Sequence, residues 1–287
     1  MKYTFIHDHC SVYRVEKMCR VLGVSRSGYS AWRCRGRTDR NEENERLVAQ
    51  IRRIFIRRRE VYGSPRITKE LQDSGIRCGK NRVARLMREY GMVAKAKRRF
   101  KVTTNSRHQL PVAPNLLKQQ FHAEAPNRIW ASDITYIHTG EGWLYLAVVL
   151  DVYSRQIVGC AMGRHITSQL VINAVNGAIE RRNPGTGAIF HSDRGSQYAS
   201  NEFRSVLVQG GFVQSMSGKG NCYDNAIVET FFHTLKTELV YFEKYRTRAE
   251  AQKSIFEYIW IFYNHVRRHS SLDYLSPADY ERYASVA

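Results

Sequence analysis

From residue 128 onward, apolar runs of strand length alternate with stretches of helical period. Residues 129–137 read as a strand, residues 142–152 as a second, and a Ser154-Arg155 turn leads into a third over 156–162. Residues 167–181 carry Leu170, Val171, Ala174, Val175, Ala178 and Ile179 at the spacing of one helical face. A fourth strand over 188–191, a helix over 201–209, a fifth strand over 212–216 and a helix from Ala226 to about Val240 complete the series. The order β-β-β-α-β-α-β-α predicts an α/β fold, a mixed five-stranded sheet flanked by helices.

The first third of the chain has only helical period. Residues 15–33 read as a small helix-turn-helix: Gly23 makes the turn, Ser25 caps the second helix, and Val21, Leu22, Val24, Tyr29 and Trp32 supply the core. A charged helix runs from Arg40 to Arg59 and Gly63-Ser64-Pro65 breaks it. Helices over 66–73 and 80–90 follow, separated by a turn over 75–79. In the last of these, Val83, Leu86, Met87 and Tyr90 repeat at i, i+3, i+4, i+7, while Asn81, Arg82, Arg85 and Arg88 occupy the other face. A helix with one packing face and one basic face suits a DNA groove, or is a solvated basic surface. The expected division is a helix-turn-helix-like segment over 1–38, a helical DNA-binding domain over 40–93, a basic linker over 94–127, and a catalytic core with a helical extension over 128–287. The linker holds the cluster Lys95, Lys97, Arg98, Arg99 and Lys101, followed by Pro111, Pro114 and Pro126.

Charge sharpens that division. The chain of 287 residues carries a net charge of +19. Residues 1–128 hold 30 Lys+Arg against 11 Asp+Glu, and the remainder holds 15 of each, so the entire excess lies in the N-terminal part. This points to a polyanion-binding region attached to a neutral one. No run of about 18 apolar residues and no secretory segment occurs, so a cytoplasmic protein is expected. The six cysteines lack CxxC pairs, and His7, His9, Cys10 and Cys19 do not have the spacing of a structural zinc site.

Three acidic residues stand in unusual contexts. Asp133 interrupts the first strand, Asp193 ends the fourth, and Glu229 sits early in the helix after the fifth, with 59 and 35 residues between them. An unpaired carboxylate in a buried strand is costly, and oxygen ligands gathered on a divalent ion are the usual compensation. Asp151 reads instead as a turn cap or an ion-pair partner of Arg155, and Asp224 as a cap of the following helix. Glu229, His233 and Lys236 share one helical face. Lys236 is placed to contact a DNA phosphate or is simply exposed, and His233 is a site wall or a functional group. Residues 217–221 read as a flexible loop beside the pocket. Arg267, Arg268 and His269 near Tyr263 suit a DNA backbone, or a plain surface helix.

The segments Trp130-Ala131-Ser132-Asp133-Ile134-Thr135-Tyr136, His191-Ser192-Asp193-Arg194-Gly195-Ser196-Gln197-Tyr198 and Asp224-Asn225-Ala226-Ile227-Val228-Glu229-Thr230-Phe231-Phe232 resemble the three acidic motifs of insertion-sequence transposases. These are enzymes of the Asp-Asp-Glu family with a retroviral-integrase-like core. The interval before Glu229, the basic Lys236 seven positions after it, and the late motif from Tyr263 to Leu272 followed by Ser276-Pro277 match as well. The chain is most similar to the OrfB-type subunit, encoded by a second reading frame. The resemblance implies a ribonuclease-H-like fold with Asp133, Asp193 and Glu229 as catalytic residues and metal ligands. Its cofactor would be Mg²⁺, with Mn²⁺ as substitute: two ions roughly 3.5–4 Å apart in a two-metal mechanism. It implies cleavage of insertion-element ends and strand transfer into target DNA. Its partners would be terminal repeats and target DNA, further copies of the chain, and an upstream-frame OrfA-type protein by fusion or association, in a bacterial, nucleoid-associated setting. A ribonuclease-H-like nuclease that cleaves without joining, and a catalytically idle DNA-binding regulator, are the alternatives.

Overall fold

The computed structural model describes residues 1–34, 39–95, 110–218 and 222–284. The chain divides into two compact units, Met1–Val93 and Ala94–Ala287. In the first, α1 (Lys2–Asp8), α2 (Val15–Val21) and α3 (Arg26–Cys34) close around Ile6, Met18, Cys19 and Tyr29. Ser25 caps α3, its Oγ accepting from the Gly28 N–H at 3.0 Å, and Gly23 makes the turn at φ +63°. Val21 is exposed rather than packed; Leu22, Val24 and Trp32 rest against the small core as expected.

Helices α4 (Asp39–Arg57), α5 (Ser64–Asp73) and α6 (Lys80–Glu89) form a second group. Its buried side chains include Ile51, Phe55, Tyr62, Ile67, Leu71, Val83, Leu86 and Met87. Pro65 stands in the first turn of α5, where a missing N–H costs nothing, so the break ends at Gly63. Glu70 is buried and held between Arg57 (2.5 Å) and Arg58 (2.7 Å), which keep its carboxyl below the ordinary glutamate range against the opposing effect of burial. Tyr90, expected on the packing face of α6, lies beyond the helix end and is exposed.

The second unit is built on a five-stranded sheet, β1 (Ile129–Thr139), β2 (Gly142–Asp151), β3 (Ile157–Gly163), β4 (Ile189–Ser192) and β5 (Val213–Met216), in the order β3-β2-β1-β4-β5 among the described residues. The first three strands are antiparallel hairpins; β4 and β5 run parallel to β1. This is the mixed five-stranded sheet that the strand pattern predicted. Helix α7 (Ser168–Arg182), capped by Thr167, lies on β2 and β3. Gly159 permits that approach, since an added Cβ would collide with the Ala174 carbonyl and the Ala178 methyl. Short α8 (Ser196–Ala199) and α9 (Asn201–Gln209) add Tyr198, Phe203 and Leu207 to the core containing Trp130, Val175 and Phe190. Helix α10 (Ala226–Glu238) packs by β1, α11 (Arg248–Glu257) by β1 and β2, with a π-helical turn over Tyr258–Tyr263, and α12 (Pro277–Ala284) ends the described chain.

The later part of the segment expected to be a linker is packed. Residues 110–127 are docked on the core: Leu117 and Ala123 are buried, the Leu116 N–H donates to Ser215 Oγ at 2.9 Å, and Asn115 Nδ2 donates to Asp224 at 2.9 Å. Lys97, Arg98, Arg99 and Lys101 of the basic cluster lie outside the described residues.

Candidate active site

The sheet register brings the first two carboxylates together. Parallel pairing of β1 with β4 ends at Ser132↔Ser192, so Asp133 and Asp193 are the next residues on neighbouring strands. Parallel neighbours lie about 4.8 Å apart, close enough for two carboxylates to act on each other. Beyond Ser132, β1 keeps β2 on one side while its other edge is open. Asp133 Oδ1 accepts from the Ile134 N–H at 2.8 Å, and Asp193 Oδ1 from the Gly195 N–H at 2.9 Å, turning the chain into α8. Burial, and then the charge of Asp193, pushes the Asp133 carboxyl well above the ordinary aspartate range; Glu229 adds to this and Lys236 opposes it.

Glu229 reaches the site because the start of α10 is tied to both strands. Asn225 Nδ2 donates to the Ser132 carbonyl at 3.1 Å, one residue before Asp133. His191, one strand over and fully buried, has Nε2 2.8 Å from the Asp224 carbonyl and Nδ1 2.8 Å from Ser215 Oγ. The Asp224 carbonyl can only accept, so Nε2 carries a hydrogen, and in the neutral ring Nδ1 accepts from the Ser215 hydroxyl. Burial lowers the His191 pKa in keeping with this. Glu229, in the first turn of α10, is exposed at the rim, and its carboxyl is raised by desolvation.

Lys236 lies two turns further along the same helix. Its ammonium sits 5.0 Å from the centre of the Tyr136 ring and within the field of Asp133. Burial lowers its pKa, and the Asp133 charge counters that. His233 is exposed between the two. Tyr198 is a residue that sequence reasoning did not single out. Its hydroxyl is 2.8 Å from Ser132 Oγ, and burial with the charges of Asp133 and Asp193 keeps it protonated.

The donors here are all carboxylate oxygens, and their charges repel one another across a partly dry space. A hard divalent cation would relieve that repulsion, so the set fits such an ion. Among the described residues no three His, Cys, Asp or Glu side chains close into a ready metal cage. Asp193 acts on Asp133 more strongly than Glu229 does from the rim.

Other expectations are corrected. Asp151 does act as a turn cap, accepting from the Asn127 N–H at 2.7 Å and the Tyr153 N–H at 2.9 Å, but its cationic neighbour is Arg182 at 3.5 Å rather than Arg155. Asn225, not Asp224, stands at the N-cap of α10, and Asp224 receives the Gly218 N–H at 2.7 Å and the Asn115 amide. Arg267 is buried, donates to both oxygens of Glu238 (2.6–3.1 Å) and lies 5.8 Å from the Tyr263 ring centre, so it is not available to a DNA backbone. His269 is buried edge-on to Tyr263, and Arg268 donates to the Tyr274 carbonyl at 3.0 Å. Arg82 is engaged with Asn44 (2.8 Å) and Glu43 (2.9 Å) of α4, which takes it out of the exposed basic face; Asn81, Arg85 and Arg88 remain on it. Lys95 lies over the Phe242 ring at 5.5 Å. Of the expected loop over 217–221, residues 219–221 lie outside the described residues.

Comparison with known proteins bears on this arrangement. Residues 123–222 match a family model described as an integrase core domain, residues 229–284 a second of the same description, and residues 42–100 one for an HTH-like domain. The chain is 49% identical over 271 residues to the "Insertion element IS600 uncharacterized 31 kDa protein" of Shigella sonnei, covering 94% of this chain and 100% of that one. It is 43% identical over 284 residues to "Transposase InsF for insertion sequence IS3A" of Escherichia coli K12, covering 98% of each. Among solved structures, the simian T-cell lymphotropic virus intasome with PP2A regulatory subunit B56 gamma aligns over 77% of this chain and 70% of that chain, at 17% identity and a TM-score of 0.49.

Proposed function

The chain belongs to the insertion-sequence transposases of the InsF type, and from that premise we propose that it cleaves the ends of its element and joins them to target DNA at Asp133, Asp193 and Glu229. The observation that carries this reading is that Asp133 and Asp193 each follow directly on the last β1–β4 pair, Ser132↔Ser192, with Glu229 and Lys236 acting on Asp133 from α10. Asp133, Asp193 and Glu229 would hold Mg²⁺ ions, with Mn²⁺ as substitute. When bound, these supply Lewis acidity and lower the pKa of an attacking water or DNA 3′-hydroxyl. The remaining work falls to the chain. Ser132, held by Tyr198 and Asn225, fixes the backbone that presents Asp133. Lys236 offers an ammonium to a DNA phosphate beside the carboxylates. His191 and Asn225 keep α10, and so Glu229, against the strands.

In this reading the exposed Asn81, Arg85 and Arg88 of α6 lie on DNA, and the basic stretch around Lys95 tracks phosphates. Joining two ends calls for more than one copy on the DNA, and an upstream-frame OrfA-type protein is a candidate partner. The test uses the purified chain, Mg²⁺ and duplexes carrying the ends of its own element. Asp133→Asn, Asp193→Asn and Glu229→Gln should each lose cleavage and joining by about a thousandfold, the loss of several kcal/mol of transition-state stabilisation. Binding of the duplex should persist in all three. Near-normal Mg²⁺-dependent cleavage by any one of them would remove that residue from the site.

A further inference from the structure

Next to the carboxylates the sheet carries aromatic side chains that its core does not use. The β1–β2 register pairs Tyr136 with Tyr145 and His138 with Trp143, placing all four on one face of the hairpin. Ile134 and Tyr145 of this face pack against the core shared with α7. Towards the tip the cover ends. Trp143 is 46% exposed and His138 is exposed, whereas Trp130, at the other end of β1, is fully buried. The exposed rings are nevertheless ordered against one another. Trp143 meets Tyr136 edge-to-face at 4.9 Å and His138 at 5.3 Å.

We propose that Trp143, Tyr136 and His138 form a stacking platform for an unpaired base of the DNA strand being processed. The proposal rests on the reading of the carboxylates as a DNA-processing site, and two observations point to a nucleotide as the occupant. First, the platform is continuous with that site: the Lys236 ammonium lies over the Tyr136 ring and in the field of Asp133, so one cation serves both. A phosphate held by Lys236 would leave its base beside the rings. Second, the spacing suits a short single strand. Tyr136 is three residues along β1 from Asp133, roughly 10 Å, or about three nucleotide rises of a stacked strand; the odd offset turns its Cβ to the other face of β1, so the strand would cross the β1 edge where Lys236 meets both. Glu141, two residues before Trp143, is offset by Arg248, which pairs with it at 3.7 Å and donates to the Trp143 carbonyl at 3.0 Å. Aromatic faces accept any base, so the platform would add affinity for an opened end without reading its sequence.

The test uses the full chain without Mg²⁺, so that no strand is cut, and element-end duplexes bearing a three-nucleotide single-stranded extension of either polarity. The extension carries either normal bases or abasic sites. The wild-type chain should bind the base-carrying extension roughly tenfold more tightly than the abasic one, the loss expected for one base–aromatic stack. Trp143→Ala should abolish that difference and Trp143→Phe should keep most of it. Equal affinity of the wild-type chain for the two extensions would overturn the platform and leave the DNA-processing reading standing. Failure to bind either duplex would overturn both. If Trp143→Ala keeps the preference for bases but sediments as a smaller species, the exposed ring belongs to contact between copies and the platform is wrong.

Discussion

Asp133 carries a penalty in the metal-free fold. Its carboxyl is pushed above the ordinary aspartate range by burial, by Asp193 and by Glu229. A group whose folded pKa is raised contributes its stability below its unfolded pKa, near 3.8, and loses it as pH rises through the folded value. The penalty therefore grows as pH rises above 3.8 and is already present at neutral pH. Asparagine cannot ionise and keeps an oxygen to accept the Ile134 N–H, so Asp133→Asn should melt at a higher temperature than the wild-type chain without metal. Mg²⁺ should raise the melting temperature of the wild-type chain by mass action and do little for the variant. Melts at pH 7 with and without Mg²⁺ check both, and a less stable variant that still responds to Mg²⁺ would show that Asp133 is no ligand. Asp151 shows why a buried aspartate in the sequence is not enough to name a site. Burial raises it too, to about 6, yet the N–H groups of Asn127 and Tyr153 occupy its oxygens and Arg182 stands beside it. The register, pairing Ser132 with Ser192, gives Asp133 a second carboxylate for a neighbour where Asp151 has an arginine.

The strands were legible because alternation of apolar and polar positions is a local signal, and helix α10 because its apolar positions repeat at helical spacing. What α10 rests on was not legible. Arg267 and Glu238 are 29 residues apart in the chain, and a basic residue after Tyr263-Asn264-His265-Val266 looks the same whether it meets a phosphate or a buried carboxylate. The structure places it on Glu238, which also receives the Tyr258 hydroxyl at 2.8 Å, so the C-terminal end of α10 is clamped while Asn225 clamps its start. Removing one partner of a buried pair strands the other. Arg267→Gln should cost about 3–5 kcal/mol in urea unfolding of the core, and adding Glu238→Gln should restore part of it. The salt dependence of DNA binding should not change where the single variant is still folded. A variant of normal stability with weaker, less salt-sensitive DNA binding would return Arg267 to the DNA surface.

At the scale of the whole molecule, the charge division of the sequence matches a division of labour: the neutral residues 129–287 hold the carboxylates, and the excess of +19 lies within residues 1–128, which take in the first unit and the start of the second. Composition shows that asymmetry but not which cations are free to use it. Arg57 and Arg58 are held by Glu70, and Arg82 by Glu43 and Asn44, so part of the basic count serves the helices themselves. Arg85 shares its charge with Glu89 at 2.8 Å on an exposed face, an arrangement worth little that a phosphate can displace. Each cation that neutralises a phosphate releases counterions, so log affinity falls with log salt by about 0.9 per contact on duplex DNA. Arg85→Ala and Arg88→Ala should therefore each lower the slope for element-end duplexes by about one while leaving unfolding nearly unchanged. Arg82→Ala should do the reverse, keeping the slope and weakening the packing of α6 on α4, because Arg82 is bound to the protein rather than to the solvent that DNA would replace. Titrations of labelled duplex between about 50 and 200 mM salt, beside thermal melts of the same variants, separate the two classes. An unchanged slope in Arg88→Ala would mean that the exposed face of α6 is not the surface that meets the backbone.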